Sequence, residues 1–231
     1  MSNEIEIPQR DRYLTRQMDL IPMAVLDTPI KMIGAGGIGS VSALALAKMG
    51  FNNLEVWDFD VVSEENINSQ FFKISDIGRP KVEALRDIIK EFTGTEITAK
   101  NEKYESGHLN GILIMAVDSM KARKMIWEAH KETAIGTKLC IDGRMGAESA
   151  MVFAMKPMNA TDVVSYDKTL YSDENAVQEL CTAKSTAYTT FAISAHIAKV
   201  VKDFLCREDH SYTRNMSWDI SKNAQQCFQS K

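Results

Sequence analysis

Three glycines within "IKMIGAGGIGSVSALALAKMG", residues Ile30 to Gly50, have the spacing of a phosphate-binding turn. Gly34, Gly36 and Gly39 fit G-x-G-x-x-G between a short apolar run and a segment rich in alanine and leucine. The first glycine allows a tight turn, the second lets a phosphate approach the backbone, and the third lets helix and strand pack closely. The following helix offers free N–H groups to an anion. The segment therefore predicts a nucleotide site, with a glycine turn that binds no ligand as the alternative.

Two carboxylates follow the next apolar run. Asp58 lies about 20 residues beyond the turn, where an acid binds ribose hydroxyls. Asp60 is two residues further on, so both side chains would point to one face of a regular strand. This pattern alone favours a nicotinamide dinucleotide, but it positions only a phosphate and a ribose. Other residues must decide the chemistry.

The segments that would position these residues alternate between strand and helix patterns. The sequence predicts strands at 30–33, 54–57, 96–103, 111–117, 138–143, 147–155 and 212–220, and helices at 37–49, 80–92, 119–132 and 183–205. The polar segment 158–180 is predicted to be a functional crossover or lid, or else disordered. This order predicts an α/β fold: a Rossmann-like, doubly wound, mostly parallel sheet with a C-terminal crossover loop, long helix and final strand.

The length and composition are those of one globular domain. We expect residues 1–231 to form a single domain, with an N-terminal helical arm at 1–28, a nucleotide-binding core at 29–156 and the C-terminal crossover loop, helix and strand at 157–231. A net charge of −4 gives no electrostatic footprint for nucleic acid, and no apolar run reaches membrane-spanning length. The four cysteines form no C-x-x-C pair, so we expect reduced thiols in a cytoplasmic protein without structural zinc.

Five further motifs carry a resemblance to a known family. These are "RYLTRQ", "VWDFDVVSEENINSQFF", "IGRPKVEALRD", "AVDSMKAR" and "IDGRMGAE", together with "GAGGIG" and its doubled glycine, Gly36 and Gly37. From Arg12 to about Leu205 the chain resembles the ThiF/MoeB/HesA family, whose adenylating domain is shared with ubiquitin-activating enzymes.

The resemblance implies an ATP-dependent adenylyltransferase. Members use the C-terminal carboxylate of a small ubiquitin-like or sulfur-carrier protein, ending in glycine, to attack the α-phosphate of ATP. The products are an acyl-adenylate and pyrophosphate. Such a reaction brings anions together, so it needs cations, magnesium and fixed dipoles. The resemblance places Asp58 on the ribose and leaves Asp60 as a supporting loop residue.

Two further positions match family residues at the triphosphate. Lys81 in "RPK" matches the lysine that holds phosphates, and the alternative is an exposed lysine at a helix start. Asp118 matches the aspartate that holds magnesium, and it follows an apolar strand at the edge where open α/β sheets bind ligands. Its alternative is the N-cap of the next helix, and one residue can serve both roles.

The loop between these motifs contains one departure from the family. Asn66 and Gln70 match residues that line the phosphate site, with local loop hydrogen bonding as the alternative. The family commonly has an arginine where this chain has Ser69. Arg79 is predicted to compensate from the adjacent turn. If it does not, ATP binding is weaker or the protein is a partly degenerate scaffold.

Arg16 and Cys181 are candidates for roles beyond ATP binding. Arg16 matches an arginine that in bacterial relatives reaches the other subunit's ATP, which implies a homodimer; the alternative is a solvated arginine on an N-terminal helix. Cys181 corresponds roughly to the cysteine that forms an acyl persulfide or thioester in some relatives. A predicted helix start and Lys184 would favour its thiolate. The alternative is a small buried side chain.

Two other functions remain open at this point. An NAD-dependent oxidoreductase is supported by the glycine turn and Asp58. A non-catalytic nucleotide-binding partner in a heterodimer is supported by Ser69, whereas the retention of Arg16, Lys81 and Asp118 speaks against it.

Overall fold

A computed structural model describes residues 9–132, 136–171, 186–209 and 211–229. In these residues one sheet of eight strands has the order β3-β2-β1-β4-β5-β6-β7-β8. The strands are β1 Ile30–Ile33, β2 Leu54–Trp57, β3 Thr98–Lys100, β4 Ile112–Met115, β5 Leu139–Gly146, β6 Ser149–Met155, β7 Thr213–Asp219 and β8 Ala224–Gln229. The α-helices among these residues are α1 Gln9–Leu14, α2 Gly37–Lys48, α3 Lys81–Thr93, α4 Met120–Glu132, α5 Ala160–Asp167 and α6 Ala187–Cys206.

The first five strands of this order pair in parallel, and the pairings from β5 to β8 are antiparallel. The chain winds from β1 outward to β2 and β3, then returns to the other side of β1 to form β4 and β5. The order therefore reverses between β1 and β4. Ligands of open α/β sheets bind at the carboxyl ends of the strands beside such a reversal.

Each face of the sheet has its own apolar core, as alternation along the strands requires. In β1 and β4, Met32 and Ile114 belong to the larger core with helices α2, α3 and α6. Leu113 and Met115 belong to the second core, with Trp127 of α4. Helices therefore cover both faces, and the predicted doubly wound, mostly parallel α/β fold is confirmed.

Two elements depart from the prediction in the C-terminal part. Helix α5 lies inside the segment that was predicted to be a loop or disordered. Its buried residues are Asp162 and Tyr166, so no apolar stripe marks it in the sequence. The predicted final strand is β7, but a second hairpin strand, β8, follows it, so the prediction of one last strand was wrong.

Smaller differences occur at element ends. Pro80 precedes α3 as its N-cap and does not form the first helical residue. The long C-terminal helix begins at Ala187, whereas the sequence predicted Ala183, which lies outside the described residues. No helix among the described residues has the length and apolar character needed to cross a lipid bilayer.

Candidate active site

The glycine turn is closely packed at two positions and open at the third. Gly34 has φ +99°, and a Cβ added there would lie 2.4 Å from the carbonyl oxygen of Ala116. A Cβ on Gly39 would lie 1.9 Å from the carbonyl oxygen of Gly34. At Gly36 an added Cβ would meet no atom within 4 Å. The turn therefore leaves open space at the start of α2, whose first N–H groups lack helical partners and suit an anion.

Asp58 ties the glycine turn to the end of β2. One carboxylate oxygen accepts a hydrogen bond from the Ala35 N–H at 2.7 Å, and the other accepts one from the Asp60 N–H at 2.8 Å. Burial raises the pKa of Asp58, while these two hydrogen bonds oppose that shift. The residue thus shapes the turn from within the protein. Its contact with a ribose stays a prediction.

Lys81 is buried beside the same loop. Its ammonium lies 2.9 Å from a carboxylate oxygen of Asp60, with side-chain exposures of 9% for the lysine and 53% for the aspartate. The Lys81 N–H also donates to the Asp60 carbonyl at 2.9 Å. A chain of hydrogen bonds therefore runs from the glycine turn through Asp58 and Asp60 to Lys81. The alternative that Lys81 is an exposed lysine at a helix start is wrong.

Arg79 has two carboxylate partners of its own. Its guanidinium donates to Asp76 at 2.8 Å and to Asp87 on α3. These contacts raise the pKa of Arg79, with the hydrogen bond to Asp87 as the main cause. Compensation for the missing family arginine would require this guanidinium to leave both aspartates. That role stays a prediction.

The loop with Asn66, Ser69 and Gln70 packs against the start of α2. The Phe71 N–H donates to the buried hydroxyl of Ser40 at 3.0 Å, a contact that the sequence analysis did not anticipate. Asn66 accepts from the Ser63 N–H at 3.0 Å, which is the local hydrogen bonding that formed its alternative. The side-chain oxygen of Gln70 is buried without a hydrogen-bond partner among the described residues. Such an orphaned acceptor is uncommon in folded proteins.

Asp118 follows β4 and is exposed. Among the described residues it has no hydrogen bond or ion pair. The cap of α4 is supplied instead by Ser119, whose hydroxyl accepts from the Ala122 N–H at 3.1 Å. The N-cap alternative for Asp118 is therefore wrong, and its carboxylate is available to a ligand. The close contact of Gly34 with Ala116 places this loop against the glycine turn.

The residues present fit ATP with magnesium. No cluster of three or more His, Cys, Asp or Glu side chains in the described part of the chain is arranged to hold a metal. Magnesium in nucleotide sites usually binds one or two carboxylates together with phosphate oxygens. The unpaired Asp118 supplies such a carboxylate. The open space at Gly36 and the buried Lys81 suit the phosphates.

Arg16 and Cys181 are not brought into this arrangement. Arg16 is exposed in the turn after α1, and within the described chain it makes no contact with the other candidate residues. The alternative interpretation placed Arg16 on an N-terminal helix, but α1 ends at Leu14, before this residue. Cys181 lies outside the described residues. Cys140 is fully buried in β5, where burial raises the pKa of its thiol.

Two charged residues that the sequence analysis did not single out lie behind the Asp118 loop. Arg123 of α4 and Asp142 of β5 form a buried ion pair, with 2.6 Å between the guanidinium Nε and the carboxylate. The arginine stands in the quoted motif "AVDSMKAR", but nothing in the sequence indicates its partner 19 residues later. Only the parallel pairing of β4 and β5 brings the two together.

Comparisons with known proteins show which family and which folds this chain is similar to. The sequence profile of the ThiF family matches residues 23–230. The NEDD8-activating enzyme E1 catalytic subunit of Arabidopsis thaliana is 38% identical over 104 residues, which cover 42% of this chain and 23% of that protein. The probable adenylyltransferase/sulfurtransferase MoeZ of Mycobacterium tuberculosis is 41% identical over 61 residues, which cover 26% of this chain and 16% of that protein. The aligned part thus spans less than a quarter of either relative.

Two solved structures share the fold over nearly the whole chain. A crystal structure of PaaA has a TM-score of 0.74 at 16% identity and covers 99% of this chain and 76% of that one. A crystal structure of E. coli MccB with ATP has a TM-score of 0.72 at 14% identity and covers 96% and 73% respectively.

Proposed function

Since this chain belongs to the ThiF family, we propose that it is an ATP-dependent adenylyltransferase that activates the C-terminal carboxylate of a ubiquitin-like or sulfur-carrier protein. The observation that carries this proposal is that a buried lysine, Lys81, and a carboxylate without an ion-pair partner in the described structure, Asp118, both lie beside an open glycine turn. Lys81 is linked to the turn through Asp60 and Asp58, and Asp118 lies on the adjacent loop. A nicotinamide dinucleotide needs neither a triphosphate-binding lysine nor a magnesium-binding carboxylate.

The proposed reaction joins two anions, which explains the residues required. A carboxylate oxygen of the carrier attacks the α-phosphorus of ATP, a carboxyl–phosphate bond forms, and the bond to the β-phosphate breaks to release pyrophosphate. Lys81 would hold phosphate oxygens, and the N–H groups at the start of α2 would add fixed dipoles. Asp118 would hold magnesium, which when bound neutralises phosphate charge.

We also propose a homodimer in which Arg16 acts at the partner's site. Arg16 is exposed after α1, whereas the neighbouring Leu14 is buried in the core and anchors the arm. An arginine on an anchored arm, without a partner in its own described chain, is suited to a polyphosphate on a second subunit. Cys181 is proposed to accept the acyl group from the adenylate. Its thiolate would displace AMP and form a thioester.

A second candidate is a nucleotide-binding subunit that does not catalyse the reaction. It is favoured by Ser69, which is 7% exposed and puts a short hydroxyl where the family has an arginine. The pairing of Arg79 with Asp76 and Asp87 also favours it, since the guanidinium would have to leave both aspartates to replace that arginine.

Pyrophosphate–ATP exchange tests the proposal. Purified protein is incubated with ATP, magnesium and a panel of small ubiquitin-like proteins that end in glycine, and the same carriers with an amidated C-terminus are the control. Lys81→Met and Asp118→Asn should abolish most exchange. Lys90→Met is the matched control, because Lys90 is exposed near the end of the same helix.

The outcomes separate the two candidates. Exchange that requires a free carrier carboxylate supports the adenylyltransferase. Magnesium-dependent ATP binding without exchange across the panel favours the non-catalytic subunit. Exchange that is unaffected by both Lys81→Met and Asp118→Asn would refute the assigned residues.

A further inference from the structure

One buried guanidinium holds the backbone on both sides of Asp118. The Nη2 of Arg123 donates to the Val117 carbonyl at 2.7 Å, and its Nη1 approaches the Ser119 carbonyl at 3.5 Å. The arginine is only 4% exposed. The peptide groups that flank Asp118 are therefore tied to a single rigid group, while the carboxylate itself points to no partner among the described residues.

Arg123 is in turn fixed by the neighbouring strand. Its Nε donates to Asp142 at 2.6 Å, and its Nη2 lies 3.4 Å from the Gly143 carbonyl. In the parallel pairing of β4 with β5, Met115 is opposite Asp142. The guanidinium thus bridges the end of β5 and the loop that leaves β4.

Asp142 is a fully buried carboxylate with a complete set of partners. Its other oxygen accepts from the Nε of Arg144 at 2.7 Å and from the Tyr166 hydroxyl at 2.9 Å. Arg144 also donates to the Thr169 carbonyl at 2.9 Å. A buried charge is tolerated when it is paired and hydrogen-bonded in this way, and such a network is rigid. The support behind Asp118 is therefore fixed by contacts on several sides.

We infer that Arg123, held by Asp142, is a positioning residue that aims the Asp118 carboxylate at the magnesium ion of bound ATP. The inference rests on the proposed function, because it takes Asp118 as a magnesium ligand. Magnesium demands near-ideal octahedral geometry, so a ligand on a loose loop binds it poorly. Changing a residue that orients a metal ligand typically costs about 10- to 100-fold in metal affinity.

The test compares ATP binding with and without magnesium. The affinity of the full chain for ATP is measured by calorimetry in excess magnesium and in EDTA, and the ratio of the two affinities is the readout. Arg123→Lys keeps the charge beside Asp142 but loses the planar fork that reaches two carbonyls. Arg214→Lys is the matched control, since Arg214 also binds a buried carboxylate, that of Asp162.

The Arg123→Lys protein should bind ATP in EDTA with the affinity of the wild type. The ratio of its ATP affinity in magnesium to that in EDTA should fall at least about tenfold. Arg214→Lys should keep the wild-type ratio. Asp142→Asn, which preserves shape and an acceptor for Arg123, should lower the ratio in the same direction, and this variant decides the question if Arg123→Lys does not fold. When Asp118→Asn is already present, neither Arg123→Lys nor Asp142→Asn should lower the ratio of the two affinities further.

A ratio unchanged in Arg123→Lys and Asp142→Asn, with only the melting temperature lowered, would show that the network is structural and would overturn the inference. A wild type whose ATP binding is indifferent to magnesium would overturn the proposed function itself. The two failures are therefore distinguishable.

Discussion

Gly36 is the position where one methyl group should separate folding from nucleotide binding. A Cβ at this residue would meet no atom within 4 Å, and its φ of −74° is accessible to alanine. Replacement of glycine by alanine at a compatible position stabilises a protein by about 0.4–1 kcal/mol, because it restricts the unfolded chain. Gly36→Ala should therefore leave the free energy of unfolding unchanged or slightly raised.

The same methyl group should weaken ATP binding. It would occupy the open space in front of the first N–H groups of α2, where the phosphates are expected. Forcing a methyl group into a packed contact typically costs about 1–3 kcal/mol. That cost corresponds to about a 5- to 150-fold weaker affinity for ATP.

Gly39→Ala is the contrasting change. Its Cβ would lie 1.9 Å from the Gly34 carbonyl oxygen, and ordinary contacts begin at 3.4 Å, so helix and turn would have to separate by 3.4 − 1.9 = 1.5 Å. The neighbouring atom belongs to the backbone and cannot rotate away. We expect a loss of at least about 1–3 kcal/mol in the free energy of unfolding.

Urea unfolding and calorimetric titration with magnesium and ATP measure both quantities. The expected result is opposite behaviour: Gly36→Ala folds normally and binds ATP poorly, whereas Gly39→Ala is destabilised. A Gly36→Ala protein that binds ATP as tightly as the wild type would refute the placement of the phosphates at this turn.

Three further predictions concern other parts of the chain. Burial lowers the pKa of His130 to about 4, below its unfolded value of about 6.5, so the unfolded state takes up a proton at a higher pH than the folded state does. The free energy of unfolding should therefore fall by at most about 1.4 kcal/mol per pH unit as the pH drops from about 6.5 toward about 4. Urea unfolding should show a smaller loss over this range in His130→Gln than in the control His108→Gln. Mixing inactive Arg16→Ala and Lys81→Ala subunits should restore part of the exchange activity, because one hybrid site is intact; activity confined to strictly monomeric protein would contradict this. Cys181→Ala should keep pyrophosphate exchange and lose a carrier adduct that thiol reductant cleaves, and a mutant that supports the full downstream transfer would remove the cysteine from the mechanism.

Strands β1 and β2 could be predicted because their signals are local. Short runs rich in apolar residues mark both strands, with Gly34 directly after β1 and Asp58 directly after β2, and both strands begin and end at the predicted residues. Helix α5 could not be found this way, since its buried face consists of Asp162 and Tyr166. Strand β8 is exposed and has no apolar alternation, so its pattern is not that of a half-buried strand.

The candidate site was predictable only as far as the motifs extend. Motif matching gave Lys81 and Asp118 as candidates, but it did not reveal that Lys81 is buried against Asp60 or that the Ser119 hydroxyl caps α4. The pair of Arg123 and Asp142 depends on the pairing of two strands, which no local pattern specifies. Contacts between distant segments are therefore the part that required the structure.

Calorimetric titration of the wild-type protein with ATP plus magnesium, and separately with NAD, tests the central claim most directly. We predict ATP binding that strengthens with magnesium and little affinity for NAD, because Lys81 and Asp118 are proposed to bind the triphosphate and its metal beside the glycine turn. Tight NAD binding together with no magnesium-dependent binding of ATP would contradict it and would identify the site as that of a dinucleotide.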